Sequence, residues 1–176
     1  MVNIVLEGKH CSLRALEPED LDFLYVLEND VEVWEVSNTL RPYSRAVLKT
    51  YLENASRDIY EVKQLRLCVC NDKQERIGLV DLFDFDPKHL RAGIGIIIKN
   101  PLDRNKGIGA EALELLINYA FSVLDLRQVY ANILEDNTAS IHLFEKLGFE
   151  RVGVKKDWIR WGGVFKNELL YQKIKS

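Results

Sequence analysis

The segment with the clearest chemical potential is a short glycine-containing loop that precedes a helical pattern. It reads Arg104-Asn105-Lys106-Gly107-Ile108-Gly109-Ala110. Small residues let backbone N–H groups approach a ligand closely, and the first N–H groups of a helix have no intrahelical partner. Together with the positive end of the helix dipole, they predict an anion site that suits a diphosphate. Taken alone, the loop is equally compatible with plain close packing against a strand.

A second segment with chemical potential follows about thirty residues downstream. It reads Asn137-Thr138-Ala139-Ser140-Ile141-His142-Leu143-Phe144-Glu145-Lys146-Leu147-Gly148-Phe149. Asn137 lies between a predicted strand and a predicted helix, where its side chain either caps the helix or hydrogen-bonds a ligand amide. His142 is expected on the surface of this helix.

The elements that must position both segments are read from the periodicity of apolar residues. Strands are predicted at Lys9–Leu16, Leu65–Cys70, Arg76–Asp86, Arg91–Ile98, Gln128–Leu134, Arg151–Trp158 and Phe165–Ile174. Helices are predicted from Pro18 to Asn29, Ser44 to Asp58, Gly107 to Leu124 with Glu111 and Glu114 outward, and Thr138 to Leu147. The segment Asn29–Pro42 is predicted to be an irregular loop. The fold class is therefore α+β: one domain over residues 1–176, with a mixed sheet of about seven strands and about four helices.

Composition narrows the classes of function. The net charge is −3, with 24 basic and 27 acidic residues, so a general electrostatic grip on nucleic acid is not expected. The three cysteines, Cys11, Cys68 and Cys70, have no paired spacing, so neither a disulfide framework nor a metal site is expected. No signal peptide and no membrane-spanning stretch is recognised, and the expected location is cytoplasmic.

The order and spacing of the two segments resemble those of the GNAT superfamily of acyl-CoA N-acyltransferases, over nearly the whole chain. Ser12–Leu16 is similar to the opening of its ribosomal-protein N-terminal and spermidine acetyltransferase branches, and Gly78–Leu82 and Asn118–Phe121 look closest to the spermidine branch. The resemblance implies acetyl-CoA as co-substrate, held where two central strands separate. Residues 104–110 would bind the diphosphate. The backbone of Ile96, Ile97 and Ile98 and the helix with Asn137, Ser140, Phe144 and Lys146 would contact the rest of the cofactor.

The chain departs from the family pattern at two positions where relatives carry groups that move protons. Phe144 replaces a tyrosine that is thought to protonate the leaving thiolate, and Gly93 follows Ala92 where a glutamate is frequent. Asp81 is the predicted catalytic base, with a structural hydrogen-bonding role or a water relay from elsewhere as alternatives. Asp84, nearer the turn, is a candidate for contact with the substrate or a solvated side chain.

The acceptor is predicted from the segment between the first two helices. Trp34, Glu35 and Tyr43 are candidates for the acceptor pocket, or anchors of the segment, while Arg41 stands where an acid would favour a polyamine. A small amine or polyamine is the first hypothesis. The alternatives are the N-terminal amine of a protein, and a weakly catalytic acyl-CoA-binding module. Neither nucleic acid nor a membrane is an expected partner, and a homodimer is suggested by family habit.

Overall fold

The computed structural model describes residues 6–104 and 106–176. Its eight strands form one sheet in the order β1-β2-β3-β4-β5-β6-β8-β7. The strands are β1 (Leu6–Glu7), β2 (Cys11–Ala15), β3 (Leu65–Asn71), β4 (Arg76–Asp86), β5 (Arg91–Ile98), β6 (Gln128–Leu134), β7 (Glu150–Trp161) and β8 (Val164–Ile174). Neighbouring strands are antiparallel except β5 and β6, which are parallel and joined through a helix.

Helices cover both faces of this sheet. They are α1 (Leu21–Glu28), α2 (Val31–Ser37), α3 (Arg45–Glu53), α4 (Ile59–Val62), α5 (Ile108–Ser122) and α6 (Thr138–Lys146), with 3-10 turns at Pro18–Asp20 and Pro101–Asp103. The larger apolar core lies between the sheet and α5, and a smaller one lies between the sheet and helices α1 and α3. None of the helices in the described part of the chain is long and apolar enough to cross a membrane.

The apolar run of β5 fits its position between the two cores. Ile94 is buried in the core on the α5 side and Ile96 packs against that core, while Ile97 packs against the core of α1 and α3. A strand covered on both faces needs apolar residues at consecutive positions rather than in alternation. The predicted central strand is therefore confirmed.

The pairing of β5 with β6 is short. Arg91, Ala92 and Gly93 pair with Gln128, Val129 and Tyr130, and the recorded pairing ends there. Strand β6 instead continues to pair with β8 as far as Leu134. The two parallel strands consequently diverge beyond Gly93, which opens the middle of the sheet.

The segment predicted as an irregular loop contains helix α2, so that prediction was wrong. The Asp30 side chain caps the helix by accepting from the N–H of Glu32 at 3.0 Å. Its run of valines and a tryptophan has low helix propensity, and tertiary packing of Val33 compensates for it. The helix predicted from Ser44 to Asp58 ends at Glu53, although Ser44 caps it as expected.

Glu111 was predicted to point outward from α5, which was also wrong. Its carboxylate accepts from the N–H groups of Lys9, His10 and Cys11 at 2.6, 2.8 and 2.9 Å. Burial would raise the pKa of Glu111, but these hydrogen bonds outweigh it and hold the pKa below its usual range. Glu111 thus fixes the turn between β1 and β2 to α5. A Cβ at Gly8 would lie 2.6 Å from this carboxyl group, which explains the glycine.

Candidate active site

The divergence of β5 and β6 creates a groove through the sheet with two connected parts. The part that we name the helix cleft has a volume of about 440 Å³; among its lining residues are Glu32, Val36, Ile96, Ile97, Ile98, Arg104, Gly107, Gly109, Ala110, Asn137, Ser140, Leu143 and Lys146. The part that we name the strand cleft has a volume of about 330 Å³; among its lining residues are Glu35, Val36, Asn38, Gly95, Ile96, Asn132, Asn137, Ser140, Phe144, Lys155, Trp158 and Glu168. Val36, Ile96, Asn137 and Ser140 line both parts, so the two clefts adjoin one another.

The glycine-containing loop opens α5 at the wall of the helix cleft. Gly107 is the residue before the helix, with φ 76°, and the first intrahelical bond recorded runs from the N–H of Glu111 to its carbonyl at 3.1 Å. The N–H groups of Ile108, Gly109 and Ala110 belong to the first turn, where a helix has no internal acceptors for them. This turn therefore offers backbone donors and a positive dipole end to an anion in the cleft.

Close packing does not explain the glycines of this loop. A Cβ at Gly107 would have no heavy atom within 4 Å, although its positive φ favours glycine. A Cβ at Gly109 would meet Ile96 and Leu143 at 3.7 and 3.8 Å, which is ordinary van der Waals contact. The protein itself has room for a side chain at Gly109. Space for a ligand against the backbone is the better account.

The remaining loop residues differ in how they can contribute. Arg104 lines the helix cleft, with its Nη2 3.3 Å from the carbonyl oxygen of Ile98. Lys106 is exposed and pairs with Asp103 at 3.3 Å rather than lining either cleft. The Ile108 side chain is buried in the core, so that only its backbone can face a ligand. Asn105 was predicted to contact the cofactor and lies outside the described residues.

Helix α6 presents its first turn to both clefts. The Asn137 side-chain oxygen caps the helix by accepting from the N–H of Ser140 at 3.2 Å, which leaves its amide NH₂ group to donate. Lys146, in the last turn, lines the helix cleft. Phe144 is buried, packs edge to face on Phe149 at 5.0 Å between ring centroids, and lines the strand cleft.

Gly93 marks the place where family relatives frequently carry a glutamate. A Cβ on Gly93 would lie 2.2 Å from the ring of Phe83, so a side chain there would require that ring to move. The Phe83 ring is held edge to face against Tyr130 at 6.1 Å. Phe83 therefore fills the space of that side chain, and any base must come from another position.

Asp81, the predicted base, is buried on β4 and lines neither cleft among the described residues. Its Oδ1 accepts from Arg66 Nε at 2.6 Å, and Arg66 also pairs with Glu28 at 2.5 Å. Burial would lower the pKa of Arg66, but Asp81, Tyr51 and Glu28 raise it above its usual range. Asp81 pairs across the sheet with Gly95, which lines the strand cleft. Asp81 is therefore one strand away from a residue of the cleft that has no side chain.

Of the four residues predicted to bind substrate, the structure places one in the groove. Glu35 lines the strand cleft and pairs with Lys166. Trp34 anchors α2 by donating from Nε1 to the Glu28 carbonyl at 2.9 Å. Tyr43 packs against the core of α1 and α3, and Asp84 is exposed at a bulge of β4 with φ 48°.

Sequence reasoning missed four polar residues of the strand cleft, Asn38, Asn132, Lys155 and Glu168. Residues 169 and 171 of β8 face the core, so Glu168 faces the opposite side of the sheet by alternation. The face of the sheet on which Glu168 lies could have been predicted from the alternation in the sequence. The pairing of β8 with β6 could not, because β8 enters the sheet between β6 and β7.

Comparison with known proteins places the chain in a family. Residues 11–150 match the family described as acetyltransferase (GNAT) domain, so the chain belongs to the GNAT acetyltransferases. It is an acetyl-CoA-dependent N-acetyltransferase. The resemblance inferred from the two sequence segments is therefore confirmed. The chain is 34% identical to the spermidine N(1)-acetyltransferase of Escherichia coli (strain K12) over 141 residues, which is 80% of this chain and 73% of that protein.

Solved structures confirm the fold. The spermidine N-acetyltransferase of Vibrio cholerae, in complex with CoA and spermine, superposes with a TM-score of 0.86 at 24% identity and covers 95% of this chain and 96% of that one. A dodecameric structure of the Vibrio cholerae enzyme in an intermediate state has a TM-score of 0.78 at 26% identity, over 95% of each chain. Among the described residues of this chain, no group of three or more His, Cys, Asp or Glu side chains is arranged to hold a metal ion.

Proposed function

We propose that this enzyme transfers the acetyl group of acetyl-CoA to a terminal primary amine of a polyamine. One observation carries the proposal: the helix cleft, at the start of α5, adjoins the strand cleft, which contains two carboxylates, Glu35 and Glu168, paired with Lys166 and Lys155. The first cleft suits a diphosphate, and the second suits a cationic chain. The relatives named for spermidine acetylation support the same substrate class.

In this proposal the cofactor enters by the helix cleft. The N–H groups at residues 107–110 bind the diphosphate, with Arg104 and Lys146 at the same wall. The pantetheine follows the open edge of β5 along residues 96–98, towards Asn137 and Ser140. The thioester then lies where the two clefts join. Holding amine and thioester together converts a bimolecular encounter into an intramolecular one, and backbone donors stabilise the developing oxyanion.

The chemical step is direct attack of a neutral amine on the thioester carbon. The C–N bond forms, the C–S bond breaks, and the thiolate of coenzyme A leaves. An alkylammonium is mostly protonated at neutral pH, so the step needs a base. Asp81 is the proposed base. In this proposal Arg66 releases Asp81 and pairs with Glu28 alone, and the proton of the ammonium reaches Asp81 across Gly95. The attacking nitrogen loses one proton as the amide forms, and water can carry a proton to the departing thiolate, since Phe144 has none to give.

The experiment that tests the function is a thiol-release assay over a panel of acceptors. Spermidine and spermine are expected to be acetylated with saturable kinetics, and short peptides with free N-termini are expected to show no release above background. Release with peptides alone would replace the proposal by N-terminal protein acetylation. Tight binding of acetyl-CoA without turnover on any amine would identify a binding module instead.

The role of Asp81 is tested by Asp81→Asn, which keeps the size of the side chain. We expect kcat for spermidine to fall by about 10²–10⁴, the range that general-base catalysis contributes. The matched control is Asp125→Asn, since Asp125 is exposed and pairs with Lys175 away from the groove. An Asp81→Asn enzyme with unchanged kcat at neutral and mildly acidic pH would make Asp81 a purely structural partner of Arg66.

Two further features of the proposal concern the assembly and its location. Strand β7 lies at one end of the sheet and exposes Val152 and Val154, so we propose a homodimer that uses this edge. Light scattering tests the homodimer, since a measured mass of one 20.4 kDa chain at micromolar concentration would exclude a stable dimer.

A cytoplasmic location stays part of the proposal.

A further inference from the structure

The strand cleft already contains a primary ammonium group, that of Lys155. Its Nζ lies 2.5 Å from Oε1 of Glu168 and 3.1 Å from Oδ1 of Asn132. The ring centroid of Trp158 lies 5.1 Å from the same nitrogen, which is within range of a cation–π interaction. A carboxylate, an amide oxygen and an aromatic face thus surround one cation, and all three residues line the cleft.

A bulge in β7 produces this arrangement. The pairing of β7 with β8 shifts register between Lys155 and Ile159, and Asp157 has φ 49°. Asn167 of β8 fixes the bulge, because its Oδ1 accepts from the N–H of Asp157 at 2.9 Å while its Nδ2 donates to Glu135 at 3.0 Å. Trp158 lies within the bulge, so the irregular backbone there sets where its side chain leaves the strand.

We propose that Glu168, Asn132 and Trp158 form the subsite for the terminal ammonium of the acceptor, and that Lys155 occupies it until the acceptor displaces it. This inference rests on the proposed function and deepens it. Beyond its Cβ, the Lys155 side chain is a propylammonium group. The aminopropyl end of spermidine has the same three methylenes and the same terminal nitrogen. The subsite therefore selects a primary ammonium on an unbranched chain.

The charge balance of the cleft favours this exchange. The side chains of Glu168 and Lys155 are 15% and 30% exposed, so that leaving the carboxylate without a cation would be costly. When one alkylammonium replaces another, Glu168 keeps its partner and the charge of the cleft does not change. Lys155 is more exposed than Glu168 and can move its ammonium towards solvent. Lys155 is a competitor, and the apparent affinity for the acceptor equals the intrinsic affinity multiplied by the fraction of time that Lys155 leaves the site free.

The test removes the ammonium group of Lys155 by mutation and then adds a small primary amine that can bind in its place. Lys155→Ala removes the propylammonium portion of the side chain, so n-propylamine is the probe. We expect calorimetry to show n-propylamine binding to Lys155→Ala at least about tenfold more tightly than to the wild type, because the subsite is then open. The double variant Lys155→Ala with Glu168→Gln is expected to lose that binding. Lys175→Ala, at a surface pair with Asp125, is the control and should bind no more than the wild type.

Kinetics with spermidine give a second readout on the same variants. We expect Lys155→Ala to lower KM for spermidine by about tenfold with little change in kcat, since a competitor has been removed. Glu168→Gln should raise KM. A merely structural ion pair predicts the opposite for Lys155→Ala: a lower melting temperature and an unchanged or higher KM.

The outcomes separate the inference from the function on which it rests. If the wild type acetylates spermidine but Lys155→Ala neither binds n-propylamine nor shows a lower KM, the subsite is overturned and the function stands. If no polyamine is acetylated but Lys155→Ala binds n-propylamine through Glu168, the subsite stands and the substrate assignment fails. Absence of both results overturns both.

Discussion

Gly109→Glu is expected to weaken binding of CoA by at least about 100-fold, which corresponds to about 2.8 kcal/mol. The new Cβ itself fits, at 3.7 Å from Ile96, so the helix should still form. The carboxylate would extend into the helix cleft beside the N–H groups that the account assigns to the diphosphate. The new carboxylate would repel the negatively charged diphosphate, and the longer side chain would occupy space that CoA needs. Both effects weaken the binding of CoA. Isothermal titration of the wild type and the variant with CoA measures the effect.

Gly109→Ala is the matched control for this experiment. It adds only the Cβ, at ordinary contact distances, and should bind CoA within a few-fold of the wild type. Circular dichroism and the melting temperature of both variants check that α5 remains folded. Wild-type affinity in a folded Gly109→Glu protein would contradict the assignment of the diphosphate to this loop.

Asp20→Asn is expected to lower the free energy of unfolding by about 3 kcal/mol, at the lower end of the range for breaking a buried ion pair. Asp20 is fully buried and accepts from both terminal nitrogens of Arg14 at 2.9 Å. It also pairs with Arg76 at 2.5 Å and accepts from the N–H of Glu17 at 2.8 Å. One carboxylate thereby joins β2, β4 and the start of α1. Urea denaturation at neutral pH gives the change from the shift in midpoint.

Asp22→Asn provides the control, since its side chain is 83% exposed in a surface pair with Arg45. Exposed pairs contribute about 0–1 kcal/mol, so this variant should unfold close to the wild type. Equal midpoints for Asp20→Asn and the wild type would show that water replaces the buried contacts at little cost.

The same carboxylate makes the stability depend on pH. Burial would raise the pKa of Asp20, but hydrogen bonds from Arg14 and Glu17 and the charges of Arg14 and Arg76 outweigh it and lower the pKa. A group whose pKa is lower in the folded state stabilises the protein fully above its unfolded pKa, about 3.9 for aspartate. That stabilisation is lost as the pH falls through the folded pKa. The difference between the wild type and Asp20→Asn should therefore be constant near neutral pH and shrink below about pH 4.

Much of the fold was readable from local patterns. The strand Gln128–Leu134 has the bounds predicted for it, and the glycine-containing loop does open a long helix at the groove. Short-range periodicity and glycine placement carry that information because they reflect backbone geometry and burial within one element. The same reasoning missed α2, whose sequence has low helix propensity and is stabilised by packing and by the Asp30 cap.

The acceptor side of the groove was less predictable because it is built by residues far apart in sequence. Lys155, Glu168 and Asn132 come together only after β8 inserts between β6 and β7, and after a bulge turns Trp158 towards them. No local pattern reports such an insertion. Similarly, the reason for Gly93 became clear only when β4 placed the Phe83 ring against it.

A crystal structure of the protein grown with CoA would show whether the start of α5 binds the diphosphate. We expect diphosphate oxygens about 2.7–3.2 Å from backbone nitrogens within residues 107–110, the ordinary range for such hydrogen bonds. The pantetheine should follow the unpaired edge of β5 to the junction of the two clefts. A diphosphate bound elsewhere, with those nitrogens facing solvent, would contradict the account.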